Sequence, residues 1–332
     1  MKHLFISLLF FLQLLPAQIE PVKDIHVNKP RVWALTHGMI HTEPGDFIKD
    51  GTIVIRDGKI EKVGRYIKVP LDAYEIDLEG AHVYAGFIDS WLTVKQDEKT
   101  TSPSQHWNSK IRADYRAKDD LKIKEKDLKA LHSVGMTAAH VVPEKGIIKG
   151  QSDLVVLSKE PVSVSESVAQ VLEFKASSWS DREYPNSLLG TIALIRQTIM
   201  DVEWYEKARA ITEKFPADNE PVKHDASLAA LEKFRANRLP MLFMTNHEHT
   251  AIRALNICDE FNLNPWLLGS GFEYRRLEEI AKLKPFIILP LDFPAKPRVT
   301  DPFTALQYDT EQLKHWDLAL DNIARIQDKG LF

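Results

Sequence analysis

Three side chains suited to metal binding stand together at Asn246-His247-Glu248-His249. They follow the apolar run Pro240 to Met244, where a strand is expected to give way to a helix. Imidazole and carboxylate groups suit a divalent cation such as zinc. The spacing argues against one here, because His247 and His249 are two residues apart, not four apart on one helix face. A glutamate in a first helical turn is favoured anyway by the positive end of the helix dipole. The run is therefore expected to be a solvated helix N-terminus.

The other candidates are single groups that close apolar runs. Asp89 ends Phe87-Ile88, His140 lies in Met136 to Val142, and Asp292 follows Pro285 to Leu291. A lone carboxylate makes a weak acid–base catalyst without a second titrating partner. Asp89 is expected to fix a turn, and His140 to be satisfied by hydrogen bonds. No Ser/His/Asp or Cys/His constellation emerges. The single cysteine, Cys258, sits on what reads as the apolar face of a helix, so a buried structural thiol is expected. Gly146, Gly150, Gly269 and Gly271 lack the spacing of a phosphate loop and read as turn residues.

The elements that position these groups change character near Gly80 to Val94. From Arg31 to Tyr84 the pattern is short and β-rich, with an Asp57-Gly58 hairpin turn between Thr52–Ile55 and Ile60–Gly64. Such a meander needs a partner layer to bury its second face. From Gly86 onward, apolar strands alternate with amphipathic helices. Strands are expected at Phe87-Ile88, Met136 to Val142, Pro240 to Met244, Trp266 to Leu268 and Pro285 to Leu291. Helices are expected over Asp119–Ser133, Ser187–Thr212, Asp225–Asn237, Thr250–Phe261 and Arg275–Lys282. Gly146 to Ser152 reads as a glycine-punctuated loop, and the polar stretch Lys95 to Ser109 as a long loop. This alternation implies a parallel sheet covered by helices, with function at the strands' C-terminal ends.

The 332 residues, 44% hydrophobic and 27% charged, allow one large or two smaller domains with a sizeable core. A net charge of -4 gives no basis for a nucleic-acid partner. One cysteine excludes an intrachain disulfide. Lys2 and His3, the apolar run Leu4 to Leu15 and the small residue Ala17 have the layout of a secretory signal peptide over residues 1–17. That run is shorter than the ~20 residues a membrane span needs. Export to a periplasmic or extracellular location is expected, with 18–30 as a linker. The final Gly330-Leu331-Phe332 reads as a helix cap followed by the start of another strand, so at least one further β/α unit is expected beyond it.

Several segments carry a family likeness. These are Asp57-Gly58-Lys59-Ile60 with Val63-Gly64, Asp77-Leu78-Glu79-Gly80, Gly86-Phe87-Ile88-Asp89 and Gly135-Met136-Thr137-Ala138-Ala139. In this order they resemble the metal-dependent amidohydrolase superfamily, nearest its imidazolonepropionase-like branch. His106-Trp107-Asn108, Ile111 to Arg116, Gly146 to Ser152 and Ser187-Leu188-Leu189-Gly190 through Trp204-Tyr205 resemble a secreted subgroup often built as tandem domains. The resemblance implies an α/β fold: a small β-sandwich over 31–85, then an incomplete (β/α)8 TIM-like barrel over 86–332. It implies hydrolysis of carbon–nitrogen bonds other than peptide bonds, a divalent metal, typically zinc, and possession of a second amidohydrolase domain downstream.

The family's first barrel strand ends Gly-x-Ile-Asp-x-His-x-His, and both histidines bind the metal. Here those positions hold Trp91 and Thr93. The fifth- and sixth-strand histidines fall on Thr245 and near Gly269, and the eighth-strand aspartate would lie past Phe332. No metal cofactor is therefore expected in this segment. Two functions follow: a hydrolase of the family whose catalytic residues lie elsewhere, or a non-catalytic barrel that binds a small-molecule ligand or supports a partner domain.

Overall fold

The computed structural model describes residues 31–95, 106–176 and 183–331. The signal-peptide and linker readings, the 96–105 part of the long loop and Phe332 lie outside the described residues. The chain divides between Ala85 and Gly86 into two compact units.

The first unit is a single mixed sheet. Its strands are β1 (Val32–Glu43), β2 (Asp46–Arg56), β3 (Lys59–Gly64), β4 (Tyr74–Asp77) and β5 (His82–Val83). The order is β3-β2-β1-β4, with β5 also on β1. Asp57 and Gly58 adopt φ of 48° and 77°, which matches the twist of the β2–β3 hairpin. Val32, Ala34 and Ile40 are buried along β1, with Val54 of β2 opposite Ala34 and Ile53 on the other face opposite Leu35. Where a β-sandwich was expected, the described residues form one layer. Tyr74 and Ile76 on β4 are exposed, because no second layer covers them.

The second unit is mixed α/β. Its strands are β6 (Phe87–Val94), β7 (Met136–Pro143), β8 (Ile148–Gln151), β9 (Asp153–Val156), β10 (Val162–Ser165), β11 (Gln170–Glu173), β12 (Pro240–Met244), β13 (Asn264–Leu268) and β14 (Phe286–Ile288). Its main helices are α1 (Glu125–Ser133), α2 (Leu188–Lys214), α3 (Ala226–Ala236) and α4 (Glu248–Glu260). The strands form two sheets, ordered β10-β9-β7-β6 and β14-β13-β12-β11-β8. β11 to β14 are parallel, as are β6 and β7. No closed barrel is present among the described residues.

The alternation of strand and helix holds, with several differences from the sequence reading. The helix expected over Asp119–Ser133 begins only at Glu125, after a 3-10 turn at Ala117–Asp120, and the one expected over Arg275–Lys282 is a single turn, Leu277–Ile280, between 3-10 turns. The Gly146–Ser152 segment is not all loop: β8 lies in it and pairs antiparallel with β11. Gly150 has φ +125°, and a Cβ there would lie 2.4 Å from the Tyr115 carbonyl oxygen, so only glycine lets the strand pass. The sheet is also not purely parallel, since β9 pairs antiparallel with both β7 and β10.

The middles of β11 to β14 are apolar because both faces are covered, while Gln170, Glu173 and Asn264 stand at strand ends. One face, with Leu172, Met241, Phe243, Leu267 and Ile287, packs on α2 to α4 through residues such as Leu194, Phe234, Leu255 and Cys258. The other face gathers Val171, Leu242 and Ile288 with Val142 of β7 and the partly buried Trp91 of β6, Met244, Trp266 and Leu268. Each fully buried large side chain contributes about 1.5–3 kcal/mol. Burial of Cys258 pushes its thiol up to about 12, the state of an inert core residue.

Candidate functional site

The residues singled out from sequence lie along or just after the parallel strands: Asp89 near the start of β6, His140 within β7, and Thr245 and Gly269 directly after β12 and β13. On β6, Asp89 Oδ1 accepts a hydrogen bond from the Trp91 backbone N–H at 3.0 Å. The ladder to β7 shifts register between Asp89 and Leu92, so this carboxylate fixes a bulge. Trp91 and Thr93 share a face, while Leu92 and Val94 pack on the other side. Trp91 lies against the apolar interior and Thr93 is exposed.

His140 on β7 is buried. Its Nδ1 is 3.2 Å from the Ser90 carbonyl oxygen and its Nε2 is 2.7 Å from Ser152 Oγ. A carbonyl only accepts, so Nδ1 carries the proton and Nε2 accepts from the serine hydroxyl. Ser152 Oγ in turn accepts from the Ala169 N–H at 3.0 Å. Burial lowers the pKa of His140 and favours the neutral ring. This Ser–His pair was not foreseen from sequence. Its serine is fully enclosed, and a backbone carbonyl stands where a catalytic triad has an acid, so it ties β6 and β7 to the link between β8 and β9 rather than activating a nucleophile.

At the end of β12, Thr245 is buried and its Oγ1 donates to the Leu268 carbonyl oxygen at 2.6 Å. His247 is the N-cap of α4, its ring accepting from the His249 N–H at 3.5 Å. Glu248 is buried, with Oε2 at 2.9 Å from His247 Nδ1 and Oε1 at 3.7 Å from Arg275 Nη1. Potential ligand atoms of His247, Glu248 and His249 all lie within 4.8 Å of one another. However, the two rings stack at 5.3 Å with planes 22° apart, so their in-plane lone pairs run alongside each other instead of converging. Arg275 already supplies a cation to Glu248.

At the end of β13, Gly269 donates to the Ile288 carbonyl oxygen at 2.8 Å. The following loop wraps the fully buried Glu273 carboxylate. It accepts from the Ser270 N–H (2.5 Å), Ser270 Oγ (3.0 Å), the Gly271 N–H (3.1 Å) and Asn322 Nδ2 (2.8 Å). A Cβ at position 269 would lie 3.1 Å from Glu273 Oε1. Asp292 is exposed, beyond β14, and borders a small cavity with Ser270, Gly271 and Asn322.

Trp91, Thr93, Thr245 and Gly269 do not fit a metal. Trp91 is part of the apolar packing, the Thr245 hydroxyl is spent on a carbonyl, and Gly269 has no side chain. Sequence reasoning missed two further charged groups. Lys149 on β8 is buried, donating to the Glu144 carbonyl oxygen and pairing with Glu173 Oε2 at 2.6 Å. A lysine inside Ile147-Ile148-Lys149-Gly150 was the available signal. Arg253 on α4 borders a cavity of about 290 Å³ with Glu173, Phe174, Met244, Thr245 and Asn246.

The second unit thus holds a mainly parallel sheet with helices packed on one face. Among solved structures, an amidohydrolase from Thermotoga maritima MSB8 shares the fold, with a TM-score of 0.65 and 18% identity over 86% of this chain and 76% of that one. A second amidohydrolase and a prolidase complexed with N-methylphosphonate-L-proline each match at a TM-score of 0.40 and 13% identity, covering 90% of this chain and 76% and 74% of theirs. No family model and no curated protein matches the sequence.

Proposed function

We propose that the protein is an exported member of the amidohydrolase superfamily, of the imidazolonepropionase-like branch, whose reaction class is hydrolysis of carbon–nitrogen bonds other than peptide bonds. The ordered motifs from Asp57 to Ala139 support this, as does the fold shared with the Thermotoga amidohydrolase. On this reading, residues 86–332 belong to a (β/α)8-type barrel that lacks the family's metal site in this segment, and any hydrolysis is carried by residues outside it. The observation that carries the second half is Trp91, packed among Val142, Val171, Leu242 and Ile288 where the family places a metal ligand. The same observation favours a second reading, a non-catalytic module that binds a small ligand at the strand ends or supports a catalytic partner domain.

Metal analysis of the purified chain tests the proposal. Less than one equivalent of zinc is expected, with no turnover of amides, lactams or imides before or after zinc is added. Tightly held stoichiometric zinc would overturn the reading of the site, and turnover by this chain would assign the chemistry to it.

A further inference from the structure

The cavity at the ends of β11, β12 and β13 has a lining of mixed chemistry. Phe174, Met244 and Leu268 are partly buried apolar lining, with the exposed Leu188 beside them. Two exposed polar side chains that line it have no acceptor. Arg253 makes no hydrogen bond or ion pair among the described residues. Asn246 turns its Oδ1 toward Thr250 Oγ1 at 2.9 Å, so its Nδ2 donors lack a protein partner among the described residues. The one acid on the wall, Glu173, is already compensated by the buried Lys149. The wall therefore carries a net positive charge from a single forked guanidinium.

An exposed arginine alone points to nothing. An uncompensated guanidinium and an amide donor beside apolar lining select one ligand type, because a carboxylate matches the guanidinium fork with two parallel hydrogen bonds. The volume, about 290 Å³, is at the low end of small-molecule pockets. We infer that this cavity binds a small organic carboxylate with an apolar body. The carboxylate lies on Arg253 and Asn246, and the body lies on Phe174, Met244 and Leu268. The inference deepens the ligand-binding reading above by naming the ligand class, and it does not depend on whether the protein hydrolyses anything.

Isothermal titration of the whole chain with phenylacetate and hexanoate, each beside its primary amide, tests it. Saturable binding of the carboxylates is expected, with the amides bound ~10-fold or more weakly, since a charge-assisted pair is lost. Arg253→Gln is expected to weaken carboxylate binding by a similar factor and leave amide binding unchanged. Its melting temperature should match the parent's, because Arg253 has no partner to lose. Asn246→Asp, which sets a like charge beside the ligand, should weaken the carboxylates in the same direction. Equal binding of acid and amide, full affinity in Arg253→Gln, or no saturation at millimolar concentrations of either acid would each overturn the inference. Zinc content measured on the same sample separates the two claims. Stoichiometric zinc overturns the metal reading and leaves this one, while failed carboxylate binding does the reverse.

Discussion

Ser152 Oγ and His140 Nε2 lie 2.7 Å apart in a region closed to solvent. The pair has the geometry of a nucleophile and its base without access for a substrate, and its consequence is a pH dependence of stability. Burial depresses the folded-state pKa of His140 below 6.5. Above 6.5 the ring is neutral in both folded and unfolded chains, and its full contribution is present. As pH falls below 6.5 the unfolded chain takes up the proton first, so stability declines until the folded pKa is passed. Denaturant unfolding of the parent and His140→Gln across this range is expected to show a difference that shrinks as pH falls. A parallel pair of curves would mean that His140 titrates alike in both states.

Trp91 supplies the second prediction. Its replacement by alanine opens a cavity in the cluster with Val142, Leu242 and Ile288. A loss of about 3 kcal/mol is expected, the low end for a large aromatic because Trp91 is only partly buried. Trp91→His with Thr93→His should lose stability without gaining stoichiometric zinc, since Thr245 and Gly269 still offer no ligands. Metal analysis and urea unfolding of the pair check both halves.

Glu273 is held by four donors. Glu273→Gln is nearly the same shape, yet it turns one acceptor into an NH2 group facing donors. A loss of roughly 1.5–3 kcal/mol is expected, as for charge-assisted hydrogen bonds. Thermal unfolding would show it, and an unchanged midpoint would mean that the loop relaxes at no cost.

Lys149 and Glu173 predict an asymmetric cycle. The lysine side chain is 3% exposed and the glutamate 27%. Glu173→Gln strands a buried ammonium and is expected to cost about 3–5 kcal/mol. Lys149→Met leaves a carboxylate that water can reach, so it should cost less. The double variant should recover part of the loss. A double-mutant cycle in which both single changes cost the same would contradict the burial difference.

The sequence made the framework readable wherever local pattern decides the outcome. The strand Pro240–Met244 and the helices over Leu188–Lys214 and Ala226–Ala236 follow from apolar runs and helical spacing, with Ser187 and Asp225 as their N-caps. β8 was hidden because its glycines read as turns, while its partner, β11, lies across a hairpin that no local signal specifies. That Trp91 and Thr93 share a face was legible by alternation. The enclosure of Glu273 by Asn322 and the Lys149–Glu173 pair were not, because a buried charge is tolerable only through a partner that sequence spacing does not reveal.

The ladder that pairs Val171 with Leu242 has a consequence for time. These parallel strands are neighbours in the sheet, but the chain between them holds all of α2 and α3. Closing that loop costs entropy before any contact between β11 and β12 repays it. The hairpin of β9 and β10 meets no such delay. Refolding is therefore expected to be paced by the union of β11 with β12, so the strands with the most apolar surface are the ones that wait longest for their cover.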